Sequence, residues 1–263
     1  MGHCVHFASD LHLGAPDGAS SRERERAFVQ WMRAAAEGTG FAEGRPATEL
    51  HLVGDIFDLW HEYRHAIPKG GTRVMGAIAE LTDGGLPIHF HAGNHDMWTY
   101  GYLEEELGVQ VHSAPVVKTY DGLRCMIGHG DGLGKGDKGY RSLKRLFISS
   151  VARGMFRRLH PDWGIRLARA WSAQSRDHSA TPMANVSDEH LYQYAALWNE
   201  QQQKEEKADL FIFGHRHLPL DALLPDGLTR YVNTGDWLQH KTSVALVDGQ
   251  ASLLHTAESN PTI

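Results

Sequence analysis

The stretch Leu52-Val53-Gly54-Asp55-Ile56-Phe57-Asp58 joins the end of a short apolar run to two closely spaced carboxylates. Four other stretches have the same plan, with histidine, asparagine or aspartate directly after an apolar run. They are Asp10-Leu11-His12, Gly93-Asn94-His95-Asp96, Gly128-His129-Gly130-Asp131 and Gly214-His215-Arg216-His217. Because ligands of open α/β sheets bind beyond the carboxyl ends of the strands, we expect these side chains to gather at one edge of one sheet. Carboxylate oxygens and imidazole nitrogens bind divalent metals, so the first hypothesis is a metal site.

Predicted strands and helices alternate along most of the chain. Short apolar runs predict five strands, over 4–8, 50–53, 88–91, 123–127 and 210–213. Apolar residues at helical spacing predict helices between them, over 21–37 and 73–81. This alternation is typical of an α/β fold. Near the C-terminal end we expect three closely spaced strands over 229–233, 242–247 and 251–255, the last two joined by a hairpin turn at 247–250.

The composition is typical of a soluble globular protein, since 41% of the 263 residues are apolar and 22% are charged. No uncharged apolar run reaches the ~18 residues of a membrane span, so we expect no transmembrane helix. The first six residues lack the charged and apolar regions of a signal peptide, which predicts a cytoplasmic location. Cys4 and Cys125 both fall in predicted buried strands, as is typical of proteins in a reducing compartment.

The net charge of −6 is unevenly distributed along the chain. Between Lys138 and Arg176, ten basic residues are opposed by Asp162 alone. Such asymmetry indicates an anionic partner, which is a phosphate group, a nucleic acid or a membrane surface. The same region, from 139 to 203, has helical patterns and no strand signal. We therefore expect a core formed by 1–138 and 204–263, with a helical cap over 139–203 inserted between its two parts.

Taken together, the five blocks resemble the calcineurin-like metallophosphoesterase superfamily, whose signature reads DxH, GDxxD, GNHD, GHxD and GHxH. The resemblance implies a four-layer α/β/β/α sandwich carrying a helical cap, and two divalent metal ions, most often Mn²⁺. By matching each block, the first metal is expected on Asp10, His12, Asp55 and His217. The second metal is expected on Asp55, Asn94, His129 and His215. Asp55 would then bridge the two ions.

The same resemblance implies that water activated by both metals attacks phosphorus. It places the catalytic roles on Asn94, His95 and Asp96. His95 would protonate or hydrogen-bond the leaving oxygen, and Asp96 would set the tautomer of His95. Asp58 and Asp131 would support the ligands from behind. For Asp58, Asp96 and Asp131, capping of the loops is the alternative interpretation.

The substrate is indicated by the sequence around the fourth block, where residues 129–140 read HGDGLGKGDKGY. This looks like the UDP-2,3-diacylglucosamine pyrophosphohydrolases of lipid A synthesis, and is closest to versions from Bacteroidetes-like bacteria that carry GNHD followed by Met and Trp. The resemblance spans nearly the whole chain and implies hydrolysis of UDP-2,3-diacylglucosamine to lipid X and UMP. The residues implied for substrate binding are Asp137, Tyr140, Arg141, Ser175 and Arg176.

One residue departs from the proteobacterial members of that family, because His95 stands where they have arginine. Expulsion of a phosphate monoester needs little acid assistance, so either a histidine or an arginine can serve. The departure leaves open a substrate with a poorer leaving group. The alternative is therefore another metallophosphoesterase, which acts on a nucleotide, a sugar nucleotide or a phosphodiester.

An apolar stripe among the basic residues of the expected cap supports two interpretations. Its members are Leu143, Leu146, Phe147, Val151, Phe156 and Leu159. Basic amphipathic helices bind acyl chains and the anionic cytoplasmic face of the inner membrane, which predicts a peripheral membrane protein. Packing of the stripe on the α/β core is the other interpretation. The acidic composition argues against a nuclease, so we expect no nucleic-acid partner. A non-catalytic scaffold is a further alternative, and no oligomeric state is predicted.

Overall fold

A computed structural model describes residues 2–39, 44–134, 149–166 and 185–256 of the chain. The strands are β1 Cys4–Ala8, β2 Glu49–Leu52, β3 Ile88–His91, β4 Gln110–His112, β5 Val116–Tyr120, β6 Leu123–Gly128, β7 Leu210–Phe213, β8 Pro219–Leu223, β9 Arg230–Thr234, β10 Thr242–Val247 and β11 Gln250–His255. The helices are α1 Gly18–Glu37, α2 Thr72–Asp83, α3 Tyr102–Leu107, α4 Ser150–Phe156 and α5 His190–Glu200. Residues 161–166 are also helical.

The strands form two sheets. The first sheet has the order β11-β10-β1-β2-β3-β4, and the second has the order β5-β6-β7-β9-β8. In the first sheet β1, β2, β3 and β4 are parallel, whereas β10 and β11 run antiparallel to their neighbours. In the second sheet β6, β7 and β9 are parallel, and the two edge strands β5 and β8 are antiparallel. The parallel strands bring the loops that follow them to one end of each sheet.

The two sheets pack face to face and helices cover their outer faces. Apolar side chains between the sheets come from both of them, for example Phe7 and Leu246 from the first and Ile127 and Ile212 from the second. On the outer face of the first sheet, α1, α2 and α3 bury their apolar sides against β2 and β3. On the outer face of the second sheet, α5 packs against β6, β7 and β9. The α/β/β/α order of layers that the resemblance implied is therefore confirmed.

Alternation along β2 and β3 explains how one sheet separates two environments. Leu50 and Leu52 of β2 contact the helices, and Ile88 and Phe90 of β3 do the same. The residues between them point the other way, towards the second sheet, because successive side chains of a strand lie on opposite faces. His51 accordingly stacks on Phe7, a residue of the inter-sheet core, with ring centroids 4.9 Å apart.

The structure adds elements that the apolar pattern did not predict. They are α3, β4, β5 and β8. Both β5 and β8 lie at an edge of the second sheet, where one side of the strand is unpaired and polar side chains are tolerated. Pro219 begins β8, a position at which the missing N–H group of proline costs no ladder hydrogen bond. Short edge strands of this kind carry little hydrophobic signal.

Part of the predicted cap over 139–203 lies in the described residues, where it is helical in 150–156, 161–166 and 190–200. Leu191 and Ala195 of α5 are fully buried against the second sheet, so α5 supplies the fourth layer of the sandwich. Within the described ranges, no helix combines the length and the apolar composition required to cross a membrane. Cys4 and Cys125 are buried free thiols, as expected.

Burial of His6 on β1 predicts a stability that depends on pH. The ring lies against Trp31, and burial lowers the pKa of His6 from its ordinary value of 6.5 to about 4. Below pH 6.5 the unfolded chain gains a proton at this residue that the folded chain does not gain until about pH 4. His6 therefore reduces the free energy of unfolding by about 1.4 kcal/mol per pH unit over this window.

The measurement is urea unfolding of the wild type and of His6→Leu between pH 7 and 4. The variant should lose that part of the pH slope, and replacement of the exposed His255 by Leu should leave the slope unchanged. Equal slopes in the wild type and in His6→Leu would contradict the expectation.

Candidate metal centre

The five histidine-rich and acidic blocks follow β1, β2 and β3 of the first sheet and β6 and β7 of the second. The expectation that they line one edge of one sheet is therefore wrong. Two sheets contribute, because the face-to-face packing places the ends of their parallel strands side by side. Backbone hydrogen bonds join loops of the same sheet, including Asp10 N–H to Gly54 O at 3.0 Å, and Trp237 N–H to Asp10 O at 3.1 Å joins the loop after β9 of the second sheet to the loop after β1 of the first.

Backbone conformation distinguishes these loops from ordinary turns. Five of the seven predicted ligands have positive φ angles, which non-glycine residues rarely adopt. They are Asp10 at 55°, His12 at 44°, Asp55 at 53°, His215 at 69° and His217 at 53°. Such conformations each cost of order 1 kcal/mol and persist where surrounding structure enforces them, often at functional sites. These strained backbone conformations turn the side chains towards a common centre.

The first ligand group consists of Asp10, His12, Asp55 and His217. Nε2 of His12 lies 3.1 Å from Nε2 of His217, and Nε2 of His217 lies 3.2 Å from Oδ1 of Asp10. Nε2 of His12 is also 3.8 Å from both Asp10 Oδ1 and Asp55 Oδ2. Two imidazole nitrogens and two carboxylate oxygens thus converge, which is the donor set that divalent transition metals favour.

The second ligand group consists of Asp55, Asn94, His129 and His215. Nε2 of His129 lies 3.2 Å from Asp55 Oδ2 and 3.3 Å from Asn94 Oδ1. Ligand atoms of Asp55, His129 and His215 all lie within 4.8 Å of one another. The same oxygen of Asp55, Oδ2, faces both groups, so the structure brings all seven predicted ligands together around this carboxylate.

Hydrogen bonds leave one atom of each key ligand directed at the centre. Oδ1 of Asp55 accepts the backbone N–H of His95 at 2.9 Å, which leaves Oδ2 between the two groups. Oδ2 of Asp10 accepts the backbone N–H of His215 at 3.0 Å and the hydroxyl of Ser9. Nδ1 of His129 lies 2.9 Å from the carbonyl oxygen of Val53, so Nε2 is the ring atom presented.

The electrostatics of the centre favour bound cations. Burial alone would raise the pKa of Asp10, but the charge of His217 and hydrogen bonds from His12 and His217 hold it well below its ordinary range. The pKa of Asp55 is likewise lowered, against burial, mainly by His129 and His95. Oδ1 of Asp10 is buried and faces two imidazole nitrogens, Nε2 of His217 at 3.2 Å and Nε2 of His12 at 3.8 Å. A buried carboxylate oxygen directed at other ligand atoms fits a metal ligand.

His95 and Asp96 differ from the expectation in one respect. Nδ1 of His95 donates towards the backbone carbonyl oxygen of Asp58 at 2.9 Å, so this carbonyl orients the ring. The carboxylate of Asp96 instead accepts backbone N–H groups, from Gly93 at 2.7 Å and from Ile56 at 2.8 Å. The prediction that Asp96 sets the tautomer of His95 is therefore wrong. Asp96 caps the loops after β2 and β3, which was the alternative interpretation.

Nε2 of His95 faces the centre, 3.9 Å from Oδ2 of Asp55. Asp58 supports the first ligand group, with Oδ1 3.5 Å from Nδ1 of His12. Asp131 is buried, and its charge contributes, after those of Asp55 and Asp10, to raising the pKa of His129 to about 10 against the effect of burial. The predicted substrate-binding residues Asp137, Tyr140, Arg141, Ser175 and Arg176 lie outside the described residues.

Close packing around the centre requires glycine at two positions. A Cβ atom on Gly93 would lie 2.2 Å from Oδ1 of Asp55, and one on Gly54 would lie 2.5 Å from Nδ1 of His129. Gly54 also has a φ angle of 87°, which favours glycine. These two glycines allow the loops to approach the bridging carboxylate and its neighbours closely.

Arg24 is a residue of the centre that the sequence analysis missed. Its buried guanidinium extends from α1 and donates to the carbonyl oxygens of Leu11 at 2.9 Å, His12 at 3.0 Å and Ala15. It therefore holds the loop that carries Asp10 and His12. The sequence feature that could have indicated this role is the position of Arg24 on the apolar side of the predicted helix, one turn before Phe28. Helical spacing alone, however, does not show what such a residue contacts.

Comparison with known proteins gives relatives over the full length of the chain. A UDP-2,3-diacylglucosamine hydrolase of Porphyromonas gingivalis is 34% identical over 271 residues, covering 97% of this chain and 97% of the relative. A protein of the same name from Neisseria gonorrhoeae is 27% identical, covering 94% and 95%. Among solved structures, the E. coli phosphoesterase Yfce aligns with a TM-score of 0.45 and 15% identity, covering 96% and 98%. No protein-family model matches the chain.

The contacts of Arg24 predict a large loss of stability in Arg24→Met. The substitution keeps the length of the aliphatic side chain and leaves three buried carbonyl oxygens without their charged donor, at a cost of about 3 kcal/mol or more. Urea unfolding measures the change. Arg26→Met, at an exposed position of the same helix, is the matched control and should change stability little. Equal midpoints for both variants would show that the Arg24 contacts contribute nothing.

Proposed function

Because this chain belongs to the family of UDP-2,3-diacylglucosamine hydrolases, we propose that it hydrolyses the pyrophosphate of UDP-2,3-diacylglucosamine in lipid A biosynthesis. Water adds its hydroxyl to one phosphorus, the bridging P–O bond breaks, and the remaining proton goes to the departing phosphate. The products are lipid X and UMP. The observation that carries the proposal is the single carboxylate oxygen, Oδ2 of Asp55, that faces two ligand groups in a chain related to these hydrolases over 97% of its length.

We assign the two ligand groups to two divalent metal ions, and we propose Mn²⁺. The first group would hold one ion through Asp10, His12, Asp55 and His217, and the second group would hold the other through Asp55, Asn94, His129 and His215. When bound, two such ions supply Lewis acidity and an activated water near neutral pH. The donor set of imidazole, carboxylate and amide groups supports this assignment.

The residues of the chain position the substrate around that centre. His95 presents Nε2 to the phosphoryl oxygens, and the carbonyl oxygen of Asp58 holds its ring in that orientation. The amide of Asn94 lies beside it, with Oδ1 directed at the second ligand group. Because a phosphate monoester is a good leaving group, a hydrogen bond or positive charge from His95 is sufficient assistance. A substrate with a poorer leaving group, hydrolysed by another kind of metallophosphoesterase, is the second candidate.

We further propose that the part of the expected cap over 139–203 that precedes α5 binds the acylated glucosamine and contacts the anionic cytoplasmic face of the inner membrane. The residues assigned to substrate are Asp137, Tyr140, Arg141, Ser175 and Arg176. Exposed apolar side chains in the described part of this region support a membrane contact: Met155 is 65% exposed, Leu159 43% and Trp163 72%. Arg157 and Arg158 lie among them in the sequence, and basic residues beside apolar ones suit an anionic bilayer.

The activity is tested with three substrates in the presence of Mn²⁺. They are UDP-2,3-diacylglucosamine, UDP-N-acetylglucosamine and bis-p-nitrophenyl phosphate, and the release of UMP or nitrophenol is measured. We expect rapid UMP release from the acylated substrate alone. Comparable turnover of the unacylated sugar nucleotide would overturn the lipid assignment, and turnover of the phosphodiester alone would favour the second candidate.

The bridging role of Asp55 predicts different metal contents for two variants. Asp55→Asn should lose affinity for both Mn²⁺ ions, because its Oδ2 faces both ligand groups. Asp10→Asn should lose only the ion of the first group. Isothermal titration with MnCl₂, with folding checked by circular dichroism, gives the stoichiometries. If Asp55→Asn bound as much Mn²⁺ as Asp10→Asn, the two-metal assignment would be wrong.

The membrane contact is tested by sedimentation with vesicles of phosphatidylglycerol and phosphatidylethanolamine. Trp163→Asp removes an apolar side chain that we expect to enter the bilayer interface, and should weaken binding about tenfold or more, corresponding to ~1.5 kcal/mol or more of lost burial. The matched control is Leu228→Asp, since Leu228 is 87% exposed and lies outside the expected cap in the sequence. Equal binding by both variants would contradict the proposed surface.

A further inference from the structure

A second cluster of metal-binding side chains lies between the two sheets, outside the ligand groups of the candidate metal centre. Glu49 and His51 of β2 and His89 of β3 point from the first sheet towards Lys118 and Tyr120 of β5 in the second. We call these five residues the inter-sheet cluster. His51 and His89 are buried, and the side chain of Glu49 is 18% exposed. The hydrolysis proposed above uses none of them.

Three of these side chains bring metal-binding atoms close together. Oε2 of Glu49 lies 3.3 Å from Nε2 of His51 and 3.2 Å from Nε2 of His89. Ligand atoms of the three residues all lie within 4.8 Å of one another. In a tetrahedral zinc site with bonds of ~2.0–2.1 Å, adjacent ligand atoms are ~3.3 Å apart. The observed separations from Glu49 match that spacing, and because the rings of His51 and His89 stack with an interplanar angle of 19°, they would have to turn for both Nε2 atoms to face one ion.

The other nitrogen of each imidazole is held by a further histidine. Nδ1 of His51 lies 2.9 Å from Nε2 of His91, and Nδ1 of His89 lies 2.9 Å from Nε2 of His112. The rings of His51 and His89 stack with their centroids 4.5 Å apart. Metal-binding histidines almost always have such a partner on the ring nitrogen that does not face the metal, because it fixes the tautomer and the ring plane.

Lys118 shows that this position attracts a cation. Its ammonium lies 2.5 Å from Oε2 of Glu49 and 2.8 Å from Nε2 of His89, between two of the three candidate ligands. The Lys118 side chain is 26% exposed, so it can turn towards solvent without being pulled from the core. The hydroxyl of Tyr120 donates to the same carboxylate at 2.8 Å and would remain as its outer partner.

We propose that the inter-sheet cluster binds Zn²⁺ through Glu49, His51 and His89, with the Lys118 ammonium displaced to solvent. An ammonium and a phenol stabilise the ionised Glu49, and Nε2 of His89 accepts a hydrogen bond from the Lys118 ammonium and so carries no proton. Nε2 of His51, which lies 2.9 Å from the Tyr120 hydroxyl and 3.3 Å from Glu49 Oε2, donates to these oxygens, so binding would shift its proton to Nδ1. The ion would tie β2 to β3 behind the candidate metal centre. The site is independent of the proposed hydrolysis, and its failure would not affect that proposal.

The test counts metal in the purified full-length chain. Wild type, Glu49→Gln and Lys118→Met are equilibrated with excess ZnCl₂, desalted, and analysed by inductively coupled plasma mass spectrometry. Because Zn²⁺ also suits the candidate metal centre, the quantity that matters is the difference between the variants. Wild type should retain one more Zn²⁺ per chain than Glu49→Gln. Lys118→Met removes the competing ammonium and should bind that ion at least as tightly as the wild type.

Equal zinc contents in the wild type, Glu49→Gln and Lys118→Met would overturn the proposal. Folding of each variant is checked by thermal unfolding, and His89→Gln is a second ligand variant with the same expected loss if Glu49→Gln does not fold. Hydrolysis assayed with Mn²⁺ distinguishes the zinc proposal from the proposed function, because Glu49→Gln should leave the rate of hydrolysis unchanged. Loss of one Zn²⁺ with unchanged hydrolysis supports a separate site.

Discussion

The contacts of the buried Asp55 carboxylate are the constraint on which the arrangement of the candidate metal centre depends. Oδ1 of Asp55 accepts the backbone N–H of His95, and its Oδ2 lies within 3.9 Å of ring nitrogens from three histidines, His12, His95 and His129. A buried carboxylate in this setting is stable only with positive charge or strong donors around it. The loops of both sheets are arranged to supply those groups, at the cost of strained φ angles at most of the expected ligands.

The sandwich carries that strain because its layers are well packed. Side chains between the sheets and under the helices fix β1, β2, β3, β6 and β7, so the loops that follow them have little freedom to relax. The same geometry also places polar side chains in the space between the sheets. Alternation along β2 and β3 that sends leucine and phenylalanine to the helices sends glutamate and histidine inwards, where they form the inter-sheet cluster.

Apolar periodicity predicted much of the fold, because buried parallel strands and amphipathic helices have distinct spacings of apolar residues. The predicted bounds of β1, β3, β7 and β10 agree with the structure residue for residue, and the hairpin after Val247 pairs as expected. Edge strands such as β8 were missed, since they are half exposed and carry polar residues. The prediction that Asp96 contacts the ring of His95 was wrong, because adjacency in sequence does not show where two side chains point on a turn.

The sequence by itself determined which donor atoms are available to the candidate metal centre, because donor atoms are a property of residue type and the five blocks contain the seven expected ligands. The spacing of apolar residues also determined the alternation of strands and helices, whereas the four layers were implied by the resemblance to the metallophosphoesterase superfamily. Only the tertiary structure decided which donors meet: that two sheets share the centre, that Oδ2 of Asp55 faces both ligand groups, and that Arg24 holds one of the loops. These relations join residues far apart in the chain, and they depend on packing between sheets that no local pattern encodes.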